Sequence, residues 1–510
     1  MNPELKSLLK KSSFIALLLF VFSNSFAQKT LTLDDAMGIA IKNSPEIIKS
    51  ELNMTISKEN LKARESATKS LIKFDVTPFD YSQGRVFDDY FSKYYTNETK
   101  KVYGNLSVSQ PILFTDGRIS LQNRMEFKDA YSEHFDVASN SIVSTGSRGY
   151  SNNLYLNLTQ PLFTYNKLKM EINQLKLSLE NATLSYAIQR LYLEKQVSMF
   201  FYSVYQRQMA LTIAQDELKN QKISYEIIKS KVEGGLSARE ELLQAELNLA
   251  TSESNLQNKQ VDLENAKDDF RQYIGMPLSE EFDILANIEF SKVTVEMGKA
   301  IQNGLETRME LKQREINIKN SNDQLTMAKS INEFAGSVDL SVGLFGEDPH
   351  LPNIYDKPTR SPQVMVTFNI PIWDWGERKS RIKAAEAGIK IEEINLSNER
   401  TNVELAIRQT YRSLQNLDMQ IDLAKQNEKN AQLTYEINLE RYINGDLTSM
   451  DLNRYQNQLS EKKMNLANSL ISYKLELLNM KIQSLWDFEN NSTFVPKEIL
   501  ENMNKEEGKP

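Results

Sequence analysis

The chain has 510 residues, of which 40% are hydrophobic and 25% are charged, and its formal net charge is −7. The acidic surplus argues against nucleic-acid binding, because nucleic-acid-binding proteins usually carry a basic surplus. The absence of cysteine excludes disulfides, thiolate metal sites, cysteine nucleophiles and lipid attachment through cysteine.

The first residues have the three parts of a secretory signal peptide. A basic segment and the apolar run 14–22 precede small residues that end at Ala27. We therefore expect residues 1–27 to be removed on export. A signal anchor is the alternative, but this apolar run is far shorter than the roughly 20 residues that span a bilayer. No later segment is long and apolar enough, so entry into a membrane would require a β-barrel.

Two parts of the mature chain resemble each other at a fixed offset. The segment 159–163 aligns with 369–373, and Gly235 aligns with Gly445, in both cases 210 residues later. One offset that holds over about 100 residues is difficult to obtain by chance. The sequence therefore predicts two structural repeats.

A fainter match indicates that the first repeat contains an insertion. Residues 40–43 align with 300–303 at an offset of 260, which exceeds the other offset by 50. About fifty residues are therefore inserted within 84–150. The predicted domains are a signal peptide at 1–27, repeats at 28–275 and 276–489, and a polar C-terminal tail at 490–510.

Each repeat contains a very long helix, a glycine-containing turn and a second helix. The long helices are predicted over 166–231 and 376–442, each about 100 Å long at about 1.5 Å per residue. Apolar residues recur every seven positions, which is the spacing of coiled-coil packing. The pattern predicts an antiparallel helical hairpin in each repeat, and a soluble coiled-coil scaffold would explain it equally well. The residues that end the first helix and reverse the chain are Gly234, Gly235, Asn444 and Gly445.

Four segments alternate apolar and polar residues, as a β-strand does. An apolar row that faces lipid and a polar row that faces a lumen are typical of transmembrane barrel strands. Half-buried soluble strands look the same, but these runs occupy matched places in two repeats of an exported chain. Four strands cannot close a barrel, so several chains must share one, and an open channel needs at least three. The segments are 72–76, 154–158, 338–344 and 364–370.

The insertion has two possible interpretations. Val102, Leu106 and Val108, followed by Gln110, resemble a further strand, whereas the polar stretch 87–101 is typical of an exposed loop. The inserted residues therefore form either an enlarged external hairpin or additional strands of the barrel wall.

These features together resemble the TolC family of outer-membrane efflux proteins over nearly the whole mature chain. The resemblance implies an α+β fold, in which a homotrimer shares a twelve-stranded barrel in outer-membrane lipids above a periplasmic tunnel of coiled-coil hairpins. It also implies a channel of a tripartite efflux or type I secretion system, supplied by an inner-membrane transporter through a periplasmic adaptor. The motifs that carry the resemblance are 31–36, 43–46, 157–163, Gly235-Leu236 and 271–275.

The resemblance further implies a gate at the periplasmic end of the tunnel. Tyr442 matches the family's gate tyrosine and Asp451 its first pore-ring aspartate, while Glu241 falls where an aspartate accepts a bond from that tyrosine. Two positions depart from the family, because Leu447 replaces the gate arginine and Arg454 replaces the second ring aspartate. The usual ion-pair lock therefore cannot be formed by the same residues.

We hypothesise that Arg454 pairs instead with Asp451, Glu240 or Glu241. The alternative is that Asp451 and Arg454 form a solvated pair one helical turn apart. Asp446 would add to these carboxylates near the narrow end of the tunnel. Rings of carboxylates favour cations, so we expect a cation preference that Arg454 weakens.

Aromatic residues follow two of the predicted strands. Phe163 occupies the place in the first repeat that Trp373 and Trp375 occupy in the second. We expect these residues to form an aromatic belt at the membrane interface.

An enzyme is not expected, and neither are cofactors or bound metals. The sequence has no glycine-rich phosphate loop, no Ser/His/Asp set and no metal-ligand cluster. The alternative function is a periplasmic coiled-coil adaptor or structural protein without channel activity. Such an adaptor would usually have one hairpin flanked by soluble β domains.

Overall fold

The computed structural model describes residues 29–286, 288 and 290–495. The predicted signal peptide therefore lies outside the described residues. The chain forms two compact units. The strand-bearing unit consists of Leu52–Ser185 and Met309–Arg400, and the helical unit takes the remaining described residues.

One antiparallel sheet of six strands dominates the strand-bearing unit. Its order is β2–β3–β4–β5–β7–β8, and a short 3₁₀ helix, Leu351–Tyr355, lies between the last two strands. The remaining strands form two small sheets, in which β1 pairs with β6 and β9 pairs with β10. The strands are β1 (Lys29–Leu31), β2 (Leu71–Asp88), β3 (Lys93–Ile112), β4 (Gly117–Asp136), β5 (Ser141–Leu162), β6 (Phe282–Ile284), β7 (Ala335–Asp348), β8 (Thr359–Asn369), β9 (Trp486–Asp487) and β10 (Ser492–Thr493).

The register of the six-stranded sheet places apolar side chains on one face. Side chains alternate between the faces of a strand, so cross-strand partners share a face. The neighbouring row on the opposite face is polar or small throughout, apart from one tyrosine. The apolar row contains Ile72, Val108, Leu121, Leu156, Val342 and Pro362, and the polar row contains Lys73, Ser107, Gln122, Tyr155, Gly343 and Ser361.

The expectation of four strands per chain is wrong, because the insertion adds two strands to the sheet. β3 and β4 lie entirely within 84–150 and pair along most of their length with each other and with β2 and β5. Their residues keep the apolar and polar alternation of the flanking strands. The inserted residues therefore add strands to this sheet and do not form a separate hairpin outside it.

The helices follow the same order in both repeats: two short helices, one very long helix, a turn and a last helix. The very long helix, the turn and the last helix are those that the sequence predicts. Each long helix begins one residue after its predicted start and ends two residues after its predicted end. The first repeat contains α1 (Leu33–Asn43), α2 (Pro45–Ala67), α3 (Lys167–Glu233) and α4 (Arg239–Ile274). The second contains α5 (Met297–Thr307), α6 (Met309–Ser330), α7 (Glu377–Asn444) and α8 (Ser449–Ser484).

The core of the helical unit forms where the first residues of the described chain pack against α3 and α4. Val197 and Val204, seven residues apart in α3, are fully buried in one cluster with Phe270 of α4. Leu31 and Phe282, from the paired strands β1 and β6, belong to the same cluster. Burial of one such side chain stabilises the fold by about 1.5–3 kcal/mol, so this cluster anchors the unit.

The predicted polar tail begins inside a small hairpin. β10 pairs with β9, and the Asn490 side chain donates a hydrogen bond of 2.9 Å to the Asp487 carboxylate. Val495 is 7% exposed. Residues 490–495 therefore fold onto the end of α8, and the rest of the predicted tail lies outside the described residues.

In the part of the chain that the structure describes, the helices lack the combination of length and apolar composition required to cross a membrane.

Candidate channel gate and membrane surface

Both helical hairpins reverse direction through the same backbone motif. Gly235 and Gly445 have φ values of +73° and +91°, a region where only glycine avoids a steric penalty. The amide of Leu236 donates to the carbonyl of Lys231 at 2.8 Å, and that of Asp446 donates to Arg441 at 2.9 Å. These bonds close the helix ends in the manner of a Schellman cap. The preceding residues, Gly234 and Asn444, are not in the left-handed region.

Tyr442 links the two helical hairpins. Its side chain, at the end of α7, is 3% exposed, and its hydroxyl shares a hydrogen bond of 3.2 Å with the hydroxyl of Ser224 in α3. The ammonium of Lys231 lies 5.3 Å from the centre of the tyrosine ring. Burial raises the pKa of Tyr442, and the Glu241 carboxylate raises it further, against the opposing effect of Ser224. Tyr442 is therefore a neutral phenol at physiological pH.

The structure gives this tyrosine a different partner from the one that the resemblance implies. Its hydroxyl bonds to Ser224, whereas Glu241 accepts a hydrogen bond of 2.8 Å from Ser237 in the turn. Glu241 acts on Tyr442 only through its charge.

Asp451 takes part in the cap of α8. The hydroxyl of Thr448 donates to the Asp451 carboxylate at 2.7 Å, and the amide of Asp451 donates to the Thr448 hydroxyl at 3.2 Å. A carboxylate in the first turn of a helix also interacts favourably with the helix dipole. The Asp451 carboxylate is therefore hydrogen-bonded at the start of its own helix, α8.

Arg454 and Glu240 are exposed next to these turns. Within the described part of one chain, Arg454 forms no ion pair with Asp451, Glu240 or Glu241. Met450 and Leu236 are also exposed here, at 74% and 82%.

A ladder of polar contacts joins α3 to α8, and the sequence analysis missed it. Gln221, which is 6% exposed, donates to Asn453 at 2.6 Å, and Gln206 donates to Asn468 at 2.6 Å. Such partly buried amide pairs favour one register of the two packed helices, since a shift would break their hydrogen bonds. Polar residues on the inner face of the seven-residue pattern were the signal that could have revealed them.

Aromatic side chains cluster at the end of the sheet from which the long helices emerge. Phe163 is 65% exposed, and its ring centre lies 5.3 Å from that of Phe334. The rings of Trp373 and Trp375 meet edge to face at 5.6 Å, with exposures of 73% and 90%. Phe114, in the turn between β3 and β4, is 92% exposed and extends this set. The sequence pattern did not identify Phe114 and Phe334 as members of this cluster.

A row of charged residues limits the apolar face at its other end. Lys100 pairs in register with Asp129, which pairs with Arg148, and all three lie on the face that carries the apolar row. Just inside this row, the ring centres of Phe127 and Tyr150 are 5.0 Å apart. The strand length from Ile119 to Phe127 is about 27 Å at about 3.4 Å per residue. This agrees with the apolar band of about 25 Å of outer-membrane barrels.

The opposite face of the sheet is polar and internally bonded. The Arg124 guanidinium forms an ion pair of 2.7 Å with Glu126 and lies 3.9 Å from the centre of the Tyr103 ring. The Tyr155 hydroxyl donates to Gln122 at 2.5 Å. These contacts suit a wall that faces water rather than lipid.

The fold resembles solved outer-membrane channels. The CmeC outer membrane channel of Campylobacter jejuni matches 93% of this chain and 89% of its own, with a TM-score of 0.65 and 16% identity. The outer membrane protein VceC of Vibrio cholerae matches 89% and 96%, with a TM-score of 0.63 and 13% identity. The open state of the MtrE outer membrane channel of Neisseria gonorrhoeae matches 88% of both chains, with a TM-score of 0.63 and 12% identity. At such identities these similarities show the fold alone.

A search of curated proteins finds no significant match. At the level of families, residues 128–276 and 300–479 match the family described as outer membrane efflux protein. This match covers well over half of the chain and includes the first helical hairpin and nearly all of the second. The polar and apolar faces of the sheet agree with it. The protein therefore belongs to the outer membrane efflux protein family.

Proposed function

We propose that three copies of this outer-membrane efflux protein form one passive channel, with the sheets in the outer membrane and the helical hairpins in the periplasm. Substrates would enter from the periplasm, or from an inner-membrane transporter through a periplasmic adaptor, and leave the cell through the barrel. Efflux and type I secretion both fit such a channel. We propose no catalytic role.

The observation that carries this proposal is the sheet with one apolar and one polar face and two unpaired edge strands, β2 and β8. In lipid every backbone N–H and C=O must be paired, so an open sheet edge is not tolerated. Other copies of the chain supply the missing partners and close the wall around a polar lumen. The adaptor alternative gains no support, since the chain has two hairpins and a sheet with an exposed apolar face.

We place the gate at the two hairpin turns, with contributions from Tyr442, Asp451, Arg454, Glu240 and Glu241. Tyr442 holds the hairpins of one chain together through Ser224. Arg454 and Glu240 are exposed beside the turns, so closure would come from ion pairs between copies. Exposed ion pairs contribute only about 0–1 kcal/mol each, which allows a partner to open the gate easily.

The membrane contacts follow from the aromatic cluster. We propose that Phe163, Trp373 and Trp375, with Phe114, lie at the periplasmic interface of the membrane. Their exposed rings sit just below the apolar band, where amphipathic aromatic side chains favour the headgroup region.

Two measurements on the detergent-purified protein test the proposal. One is single-channel recording in a planar bilayer, and the other is the mass of the particle. Discrete openings from a particle with the mass of three chains are the expected result. A monomer that remains soluble without detergent and never conducts would contradict the channel and favour the adaptor.

A further inference from the structure

The inserted strands repeat the structure of the strands beside them. Ser109-Gln110-Pro111-Ile112 ends β3, and Thr159-Gln160-Pro161-Leu162 ends β5, 50 residues later. The Gln110 amide donates to the carbonyls of Thr68 at 2.8 Å and Pro111 at 2.7 Å. The Gln160 amide donates to the carbonyls of Thr115 and Pro161, both at 2.8 Å. The hairpins β2–β3 and β4–β5 are therefore built by the same contacts.

The pairing register agrees with this equivalence. Leu71 faces Ser109 in the first hairpin, and Arg118 faces Thr159 in the second. The next residues, Ile72 and Ile119, fall in equivalent places and point to the apolar face. An insertion that copies a whole hairpin preserves the alternation, so it lengthens the sheet without exchanging its two faces.

All the features that mark the membrane surface continue across the inserted strands. The apolar row includes Val108 and Leu121, and the charged row at the outer limit includes Lys100 and Asp129. Phe114, between these strands, lies at the same end as the other interface aromatics. β3 and β4 therefore have the properties of wall strands over the full height of the apolar band.

We infer that the outer-membrane wall is a barrel of eighteen strands, in which β2 of each copy pairs with β8 of the next. The count rests on the proposed trimer, since three copies of a six-stranded sheet give eighteen strands. β2 and β8 run in opposite directions within the sheet, so their contact between copies is antiparallel like every other pair. Such a head-to-tail contact closes into a ring.

An eighteen-stranded wall makes the exit wide. With strands about 4.8 Å apart and tilted by about 40°, eighteen strands give a diameter of about 36 Å between strand axes, against about 24 Å for twelve. Barrels of 16–18 strands leave an open aqueous channel. The barrel is thus wide enough for bulky hydrated solutes to pass. It does not set the upper limit on the size of the solutes that the channel conducts.

Cysteine labelling tests the position of the inserted strands in the full mature chain, which has no cysteine of its own. Ser107→Cys and Leu106→Cys are adjacent in β3 and point to opposite faces. We expect a water-soluble maleimide to label Ser107→Cys at least tenfold faster than Leu106→Cys in a bilayer, with Tyr155→Cys and Leu156→Cys in β5 as the matched control pair. Equal rates in β3, with unequal rates in β5, would overturn the inference.

Electron cryomicroscopy of the same protein in lipid nanodiscs counts the strands directly. Eighteen strands from three copies support the inference. Twelve strands from three copies, with β3 and β4 outside the wall, overturn it and leave the proposed channel intact. Twelve strands from two copies would instead refute the trimer on which both proposals rest.

Discussion

The hydroxyl of Tyr442 lies 3.2 Å from the hydroxyl of Ser224, although the two residues are 218 positions apart in the chain. This contact joins the last turn of α7 to α3 and so ties the second hairpin to the first. Because Tyr442 also precedes the turn that carries Asp446, we expect opening of the hairpins to strain or break this bond.

Removal of this hydroxyl should weaken the closed state. In Tyr442→Phe the buried Ser224 hydroxyl loses its partner, which costs about 1–2 kcal/mol. We expect a lower thermal unfolding temperature and a higher open probability in bilayer recordings. Tyr435→Phe is the control, because Tyr435 is also a buried residue of α7 and its hydroxyl makes no hydrogen bond among the described residues. Equal effects of the two substitutions would contradict a latch at Tyr442.

Arg454 should contribute to closure through contacts between copies. Arg454→Ala is expected to raise the open probability several-fold, and the effect should shrink at high salt because screening weakens exposed ion pairs. Lys463→Ala, which removes the same charge farther along α8, should leave gating unchanged. A normal open probability in Arg454→Ala would support the alternative of a solvated residue.

The carboxylates at the turns should make the channel prefer cations. Glu240→Gln and Asp446→Asn each remove one negative charge per copy, and Arg454→Ala removes one positive charge. We expect the first two variants to lower the cation-to-anion permeability ratio and the third to raise it. Reversal potentials in a salt gradient measure the ratio, and an anion preference in the unmodified channel would refute the prediction.

Replacement of a turn glycine by alanine should destabilise the protein, whereas replacement of the glycine within the long helix should stabilise it. Gly235→Ala and Gly445→Ala place a Cβ in the left-handed region, which costs about 1–2 kcal/mol each. Gly388→Ala, inside α7 and with open space around its Cα, should instead stabilise the protein by about 0.5–1 kcal/mol. The midpoints of denaturant unfolding show whether each variant is more or less stable than the unmodified protein. Destabilisation by Gly388→Ala would show that helix propensity does not determine stability at this position.

Alkaline pH should ionise the half-buried phenol of Tyr273 and so destabilise the fold. Burial, followed by the effects of Tyr192 and Glu46, raises its pKa to about 12, and its ring stacks on Phe200 at 4.8 Å. A phenol whose pKa is higher in the folded state stabilises the fold fully below its ordinary pKa of about 10. That contribution is lost as the pH rises towards 12. Ultraviolet absorbance of phenolate, compared between the unmodified protein and Tyr273→Phe, should show one group that ionises near pH 12. Its ionisation near pH 10 would contradict the prediction.

The sequence by itself determined the elements that depend on local patterns. The long helices follow from a seven-residue apolar period with no proline, and the two reversals follow from Gly235 and Gly445, whose backbone conformation favours glycine. The repeat at an offset of 210 predicted two equivalent halves, because equal patterns fold into equal local structures. The aromatic residues Phe163, Trp373 and Trp375, which we propose to lie at the membrane interface, could be identified because they come just after strands.

The tertiary structure alone decided which residues meet. A strand's alternation does not specify its neighbour, so only the pairing of Val108 with Ile72 and Leu121 places the insertion in the sheet and raises the strand count to six. The choice of Ser224 over Glu241 as the partner of Tyr442 depends on how two distant hairpins pack. Such contacts arise from three-dimensional packing, which local periodicity does not encode.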